Sequence, residues 1–459
     1  MATPHPIDLE SLAQRAVDAA LSAGAGDAEA AAEDSVGREI RVFGGEVESL
    51  SAAGERGLGV RAWIDGRVGF AYGTDLSGDG VTAIAADAVE ASRVSDPDEF
   101  AAAPQPSTDA APAPDGYLDP ETAAWPTDRK VELAKAVERS ALAADPRVVA
   151  VETAVYVDEE VSSAIRSSTG LGGSYQASFA YAYLQAIAEH DGCKQTGLGF
   201  GLGRSPAALD PEAIEREGAE RALQLLGAAK PESRTCPVVL DETVAASFAG
   251  FIGGVLCADA VQRGRSPFAD RLGDEIASDV LAVADDGIDL EGMASAPIDA
   301  EGLARGRTPL IEGGRLAAYL HDSYTARRQG DGRRSTANAA RSGYRSAPSV
   351  ATSNLIVEPG SASLDELLAA AGDGIYVTDV AGLHSGVNPV SGQFSVGASG
   401  ILIDDGALAA PATEFTIASD LVSMLSAVQA AGSEARWVPF GGSVKTPPLL
   451  IGEMAVGGS

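Results

Sequence analysis

The chain is poor in the residues that most often hold metals or act as nucleophiles: its 459 residues include only four histidines and three cysteines. Cys193, Cys236 and Cys257 are odd in number and share no C-x-x-C spacing, which argues against a disulfide framework and for a reducing compartment. Positive charge is scarce as well. The 33 lysines and arginines face 66 aspartates and glutamates, a net charge of -33, so long-range fields repel nucleic-acid backbones and anionic lipid. No uncharged run is long enough to span a bilayer, and the amino end, Met1-Ala2-Thr3-Pro4-His5-Pro6, has neither the basic nor the apolar region of a secretory signal. These absences argue against nucleic acid and membrane as partners and predict a cytoplasmic protein. What the chain does have is apolar content of 45% and a mean hydropathy of +0.04, enough for two or three domains with large cores.

Residues 1–95 read as an α/β unit. Ile7 to Ala23 has helical spacing, Arg38 to Ser49 and Leu58 to Tyr72 come close to alternation, and Asp65-Gly66 is a hairpin signal between the last two apolar runs. A second helix is predicted over Val81 to Ser92. Residues 96–126 lose all periodicity and carry Pro104, Pro106, Pro112, Pro114 and Pro126, the composition of a linker. Residues 127–230 form a central α/β unit: a helix from Thr127 to Ala144, strands from Val148 to Gly201, and a helix from Pro211 to Ala229. The glycines between Gly197 and Gly203 lack the immediate helix of a dinucleotide loop, since Arg204-Ser205-Pro206 intervenes, and read instead as a strand that permits close packing. Residues 231–459 open with the strand Val238 to Leu240 and a helix from Thr243 to Cys257. Beyond Ser278 the pattern is mostly β, with turn signals at Asp286-Gly287, Glu312-Gly313-Gly314 and Asp405-Gly406 and short helices near 363–371 and 419–429. The expected class is α+β, with a C-terminal domain dominated by antiparallel sheet.

The helix from Thr243 to Cys257 offers serine, threonine and one cysteine, whereas a catalytic zinc needs about three His, Cys, Asp or Glu ligands and a general base nearby. Cys257, in an Ala/Gly-rich apolar helix, reads as a small core residue. The run from Thr235 to Glu275, containing Arg263-Gly264-Arg265-Ser266-Pro267-Phe268, nevertheless resembles the TldD/PmbA family of paired metallopeptidase subunits. So do Tyr324-Thr325-Ala326-Arg327-Arg328, the loop from His384 to Gly400, and the ending Pro447 to Met454. In catalytic members an HExxxH motif stands a fixed distance before the Arg-Gly-x-Ser-x-Phe run. Counting back, Ala249 and Gly250 occupy the His-Glu positions and Gly254 the second His position. No cysteine follows Cys257, although catalytic members supply a cysteine ligand late in the chain. The resemblance is therefore to the TldE/PmbA-type subunit, with no metal and no catalytic residue of its own.

That resemblance implies a heterodimer with a TldD-like, HExxxH-containing paralogue that holds the zinc. This chain would close the chamber and help bind unfolded or small peptides, in housekeeping proteolysis or maturation of a peptide natural product. His384, Ser385, Gly386 and Asn388 would line the chamber. Arg327, Arg328, Arg333 and Arg334, with Arg341 and Arg345, form a basic island suited to bidentate carboxylate recognition on a partner or peptide, or simply a solvated loop. Two other classes stay open: a stand-alone hydrolase built on His321, Asp322 and His384, and a non-enzymatic homodimeric binding or scaffold protein.

Overall fold

The computed structural model describes residues 8–106, 113–440 and 442–459, with backbone alone at 140–144; His5 and Pro112 lie outside these residues. Helix α1 (Leu9–Ser22) begins where the Asp8 carboxylate accepts from the Ser11 amide at 3.0 Å, and it buries Leu12, Ala13, Ala16, Val17 and Ala20. Strands β1 (Asp27–Phe43), β2 (Glu46–Ile64) and β3 (Arg67–Gly73) follow, then helix α2 (Gly78–Val94). The Asp65-Gly66 turn joins β2 to β3 as expected. The strand expected over 38–49 is instead two strands folded back on one another at Gly44-Gly45, both in the left-handed region at φ +62° and +79°. Its true start at Asp27 was hidden because β1 faces the helices with Ala28, Ala30 and Ala32, too small to register as an apolar stripe.

A short helix α3 (Glu121–Ala124), helix α4 (Thr127–Ala144), strands β4 (Val148–Ser167), β5 (Gly172–His190) and β6 (Cys193–Gly203), and helix α5 (Pro211–Gln224) complete the first half. Strand β1 pairs with β4 from Glu29 opposite Ser167 to Val42 opposite Ala154, so one six-stranded sheet in the order β3-β2-β1-β4-β5-β6 runs across both N-terminal units. Helices α1, α2, α4 and α5 cover one of its faces. Beneath α4 the fully buried Asp158 binds Lys130 Nζ at 2.7 Å, Arg38 at 2.6 Å and the Tyr156 hydroxyl at 2.7 Å, so no charge there is left unpaired. The glycine-rich β6 lies directly against α5: a Cβ on Gly199 would overlap the Ile214 carbonyl, and one on Gly197 the Gly218 carbonyl.

The C-terminal half holds two further six-stranded sheets. Strand β7 (Arg234–Leu240) runs parallel to Gly374–Ala381 and antiparallel to Leu449–Gly457 in one of them. The hairpin Gln393–Asp404 and Ala407–Asp420 turns at Asp405-Gly406, and its second strand also pairs with Leu449–Gly457. The other sheet contains Val283–Asp286, Arg307–Glu312, Asn354–Val357 and Ser443–Thr446. Asp286-Gly287, read as a turn, ends a strand whose partner returns only at Arg307. Helix α6 (Glu242–Val255), capped by Asp241, packs Val244, Ala245, Phe248, Ala249 and Ile252 into the largest core.

The uncovered face of the N-terminal sheet meets the C-terminal half through charge. Glu29, fully buried, binds Arg61 at 2.6 Å and also Arg341; Arg61 reaches Glu301 at 3.3 Å. Glu301 in turn accepts from the Ser323 amide at 2.9 Å. Next to them Tyr344 lies against Gly57 and Gly59 of β2, where a Cβ would strike its ring or carbonyl. Arg341→Met leaves part of this buried carboxylate charge uncompensated and is expected to destabilise the fold by about 3 kcal/mol, read as a lowered urea midpoint; an unchanged midpoint refutes the clamp.

Candidate functional site

Two sequence signatures meet in space. Phe268 of the Arg-Gly-x-Ser-x-Phe run, Phe248 of α6, and Val387 and Phe394 of the loop beginning at His384 share one core, with the Phe248 and Phe394 rings 5.0 Å apart. Gly392, at φ +74°, is where Pro267 and Leu421 press against the loop. The loop is held by its own polar atoms. Asn388 Oδ1 accepts from the amides of Val390 at 2.9 Å and Ser391 at 3.2 Å, the Asn388 amide donates to the Gln393 carbonyl, and the Gly392 amide donates to the Asn388 carbonyl. Gly386 is required on steric grounds, since a Cβ there would sit 2.6 Å from the Ser395 carbonyl oxygen.

Beside this loop an open groove of about 870 Å³ is lined by Ser385, Gly386, Asn388, Phe394 and Asp420, among others. His384 is exposed on the short helix Leu383–Gly386 and is not among the lining residues. Asp420 is not free to act as a base, because its carboxylate caps the helix Leu421–Ser426 through the Ser423 amide and hydroxyl. The groove therefore offers hydroxyl, amide and apolar surface suited to holding a chain, with no activated acid or nucleophile.

The three positions aligned with a metal motif diverge. Ala249 is buried in the core, Gly250 is half-buried and Gly254 is exposed, and none carries a donor atom. The nearest donors are already engaged. Cys257 Sγ points to the Gly253 carbonyl at 3.5 Å, and burial, with Asp285, Asp259 and Asp322 nearby, pushes its thiol up to about 12. Ser247 donates to the Thr243 carbonyl at 3.0 Å. These residues do not fit zinc. Among the described residues no group of three or more His, Cys, Asp or Glu is arranged to hold an ion.

The arginines of the basic island have separate surroundings. Arg327 clamps the connecting segment, donating to the carbonyls of Phe100 at 2.8 Å and Ala102 at 2.6 Å, while Arg341 belongs to the buried cluster with Glu29. Arg328 and Arg334 are exposed, Arg333 is half-buried near His321, and Arg345 stacks on Tyr344 at 5.2 Å. The internal roles of Arg327 and Arg341 had no signal in the sequence, because Phe100, Ala102 and Glu29 lie more than 200 positions away.

His321 and Asp322 do not form a catalytic pair. Asp322 caps the helix Ser323–Gln329, accepting from the Thr325 amide at 2.7 Å and from its hydroxyl at 2.7 Å. The His321 ring is buried with neither nitrogen hydrogen-bonded, and burial, then the Arg333 charge, lowers it to about 4. No hydrogen bond or ion pair among the described residues joins His384 to either.

Three family models match the chain: the PmbA/TldA metallopeptidase domain 1 over residues 28–92, the central domain over 120–226 and the C-terminal domain over 233–458. Metalloprotease PmbA of Escherichia coli O157:H7 is 28% identical over 449 residues, covering 97% of this chain and 96% of that protein. A Metalloprotease PmbA homolog of Haemophilus influenzae is 26% identical, covering 98% and 96%. Among solved structures, TldE from Thermococcus kodakarensis superposes with a TM-score of 0.89 at 21% identity, covering 97% of this chain and 100% of that one, a likeness of fold. No described helix is long and apolar enough to cross a membrane.

Two outcomes follow from this geometry. In the native protein, Ellman's reagent at pH 8 should titrate the exposed Cys193 alone, with Cys236 and Cys257 reacting only after denaturation; prompt labelling of Cys257 would contradict its packing. For His321, the unfolded chain binds the proton more tightly, so stability is complete above the ordinary histidine value of 6.5 and falls as pH drops toward about 4. Between pH 7 and 4 the wild type should lose up to about 3 kcal/mol more than His321→Leu, measured by urea denaturation of both; parallel profiles refute the assignment.

Proposed function

The chain belongs to the TldD/PmbA metallopeptidase family, and from that premise we propose that it is the TldE/PmbA-type, metal-free subunit of a two-chain peptidase. The observation that carries this reading is the content of α6, where the motif positions are Ala249, Gly250 and Gly254. In the proposed complex a TldD-like paralogue brings the HExxxH motif and the zinc. This chain contributes the groove along Ser385, Gly386 and Asn388, where hydroxyls and bent backbone hold an extended peptide while the partner's metal supplies the chemistry. His384, exposed beside the groove, would stand at its rim. The exposed Arg328 is in this scheme the candidate for a peptide or partner carboxylate. Substrates would be unfolded or small peptides, in cytoplasmic housekeeping proteolysis or maturation of a peptide product.

Co-expression with an HExxxH-bearing paralogue tests the proposal. The expected result is a stable heterodimer with zinc in one-to-one ratio to the partner and peptidase activity only in the mixture. Asn388→Ala, which releases the loop's turn, should weaken apparent peptide affinity about tenfold with little change in turnover. Peptidase activity or tightly held zinc in this chain alone would overturn the reading.

A further inference from the structure

The N-terminal sheet ends on an edge that nothing covers. Strand β3 pairs with β2 only from Leu58 to Ile64, and among the described residues no other strand pairs with the outer side of residues 46–54. Every residue in that stretch is exposed. Proteins usually blunt such edges with proline, charge or bulges. A bulge does occur near Arg41/Val42, opposite Val47 and Ser49, but Ser49-Leu50-Ser51-Ala52-Ala53-Gly54 carries no proline, no charge and no further bulge.

The two sides of this edge differ chemically. On the helix-bearing side, Leu50 lies opposite Ile40 and Val47 opposite Val42; Leu50 is 48% and Val47 37% exposed. On the other side Ser51 lies opposite Glu39, Ala53 opposite Gly37 and Glu55 opposite Ser35, with Glu33 and Glu159 close to Glu55. Among the described residues Glu33 and Glu159 make no hydrogen bond or ion pair, and burial together with the neighbouring carboxylates raises both. Two of the nearby carboxylates do have cations, Glu39 with Arg41 at 2.7 Å and Glu55 with Arg345 at 3.5 Å, and Arg341 acts weakly on Glu33. Glu46, which reaches Lys135 of α4 at 3.7 Å, and Glu48 lie at the start of the strand. An extended chain laid on this edge alternates its side chains between the two faces.

We infer that residues 46–54 of β2 form a strand-addition site for an extended peptide alternating apolar and basic side chains, the apolar ones meeting Val47 and Leu50 and the basic ones lying on the side of Glu55, where Glu33 and Glu159 on the strands behind add negative charge. A second copy of this chain fits less well, because it would bring Glu46, Glu48 and Glu55 against their equivalents in a molecule of net charge -33. The inference deepens the proposed peptide-handling role, and rests on it for its meaning, by naming the class of peptide preferred. It adds a binding surface separate from the groove at Asn388.

The test uses the full chain alone, so failure to find a peptidase partner leaves it unaffected. A fluorescein-labelled peptide of about seven residues alternating valine and lysine is titrated by anisotropy against its valine–glutamate counterpart and against a version N-methylated at alternate residues. The lysine peptide should bind at least about tenfold more tightly than the glutamate peptide, weaken with salt, and lose affinity on N-methylation. Bound peptide should slow amide hydrogen exchange within residues 46–54, and Glu33→Gln with Glu159→Gln should erode the lysine preference. Equal or absent binding of the two peptides, indifference to N-methylation, protection elsewhere, or self-association of the free chain through residues 46–54 would each overturn the inference.

Discussion

The buried ion cluster of Glu29, Arg61, Arg341 and Glu301 is the constraint from which the arrangement of the two halves follows. Charges taken out of water persist only when their partners are fixed in place, so these four residues determine which face of the N-terminal sheet meets the C-terminal half and in what register. One face of the sheet is already taken by four helices. The other is held at one end by this cluster and by Tyr344 against Gly57 and Gly59, and toward its far edge by Phe440, whose ring meets those of Tyr183 and Phe200. Strand β2 is thereby left with its first nine residues in solvent.

Packing inside the C-terminal half rests on a few large apolar residues of one helix and on its cap. Helix α6 is placed by Phe248, Ile252 and Val244, which face the core, and by the Asp241 cap. Of Ala249, Gly250 and Gly254, only Ala249 lies in that core. Ala249 fills its place there with a single methyl group, and Gly250 and Gly254 have no side chain to pack.

Much of the fold was legible because local chemistry announced it. The amphipathic spacing of α1, the Asp65-Gly66 hairpin, the proline-rich stretch after residue 95 and the helix after Asp241 all follow from propensity and periodicity. Legibility failed where contact is distant in sequence. The first part of strand β1, before Arg38, escaped notice because it carries alanines under helices on one face and glutamates on the other, a pattern that mimics a surface segment. The same distance concealed Arg327 and Arg341, whose guanidinium groups look solvent-directed until Phe100, Ala102 and Glu29 come into view. At the candidate site, the signatures around Ser266 and Asn388 were visible one by one. Their meeting across Gly392 was not.

The pairing of β1 with β4 sets the mechanical character of the molecule. Because adjacent strands of one sheet lie on opposite sides of the proline-rich connection, hinge motion about it would have to tear a ladder running from Glu29 to Val42. Scission of the backbone between α2 and α3 would therefore leave two fragments zipped together as a single particle. The amino-terminal unit is thus part of the shared sheet rather than an appendage, and insertions would be tolerated in the connection far more readily than along the strands it joins.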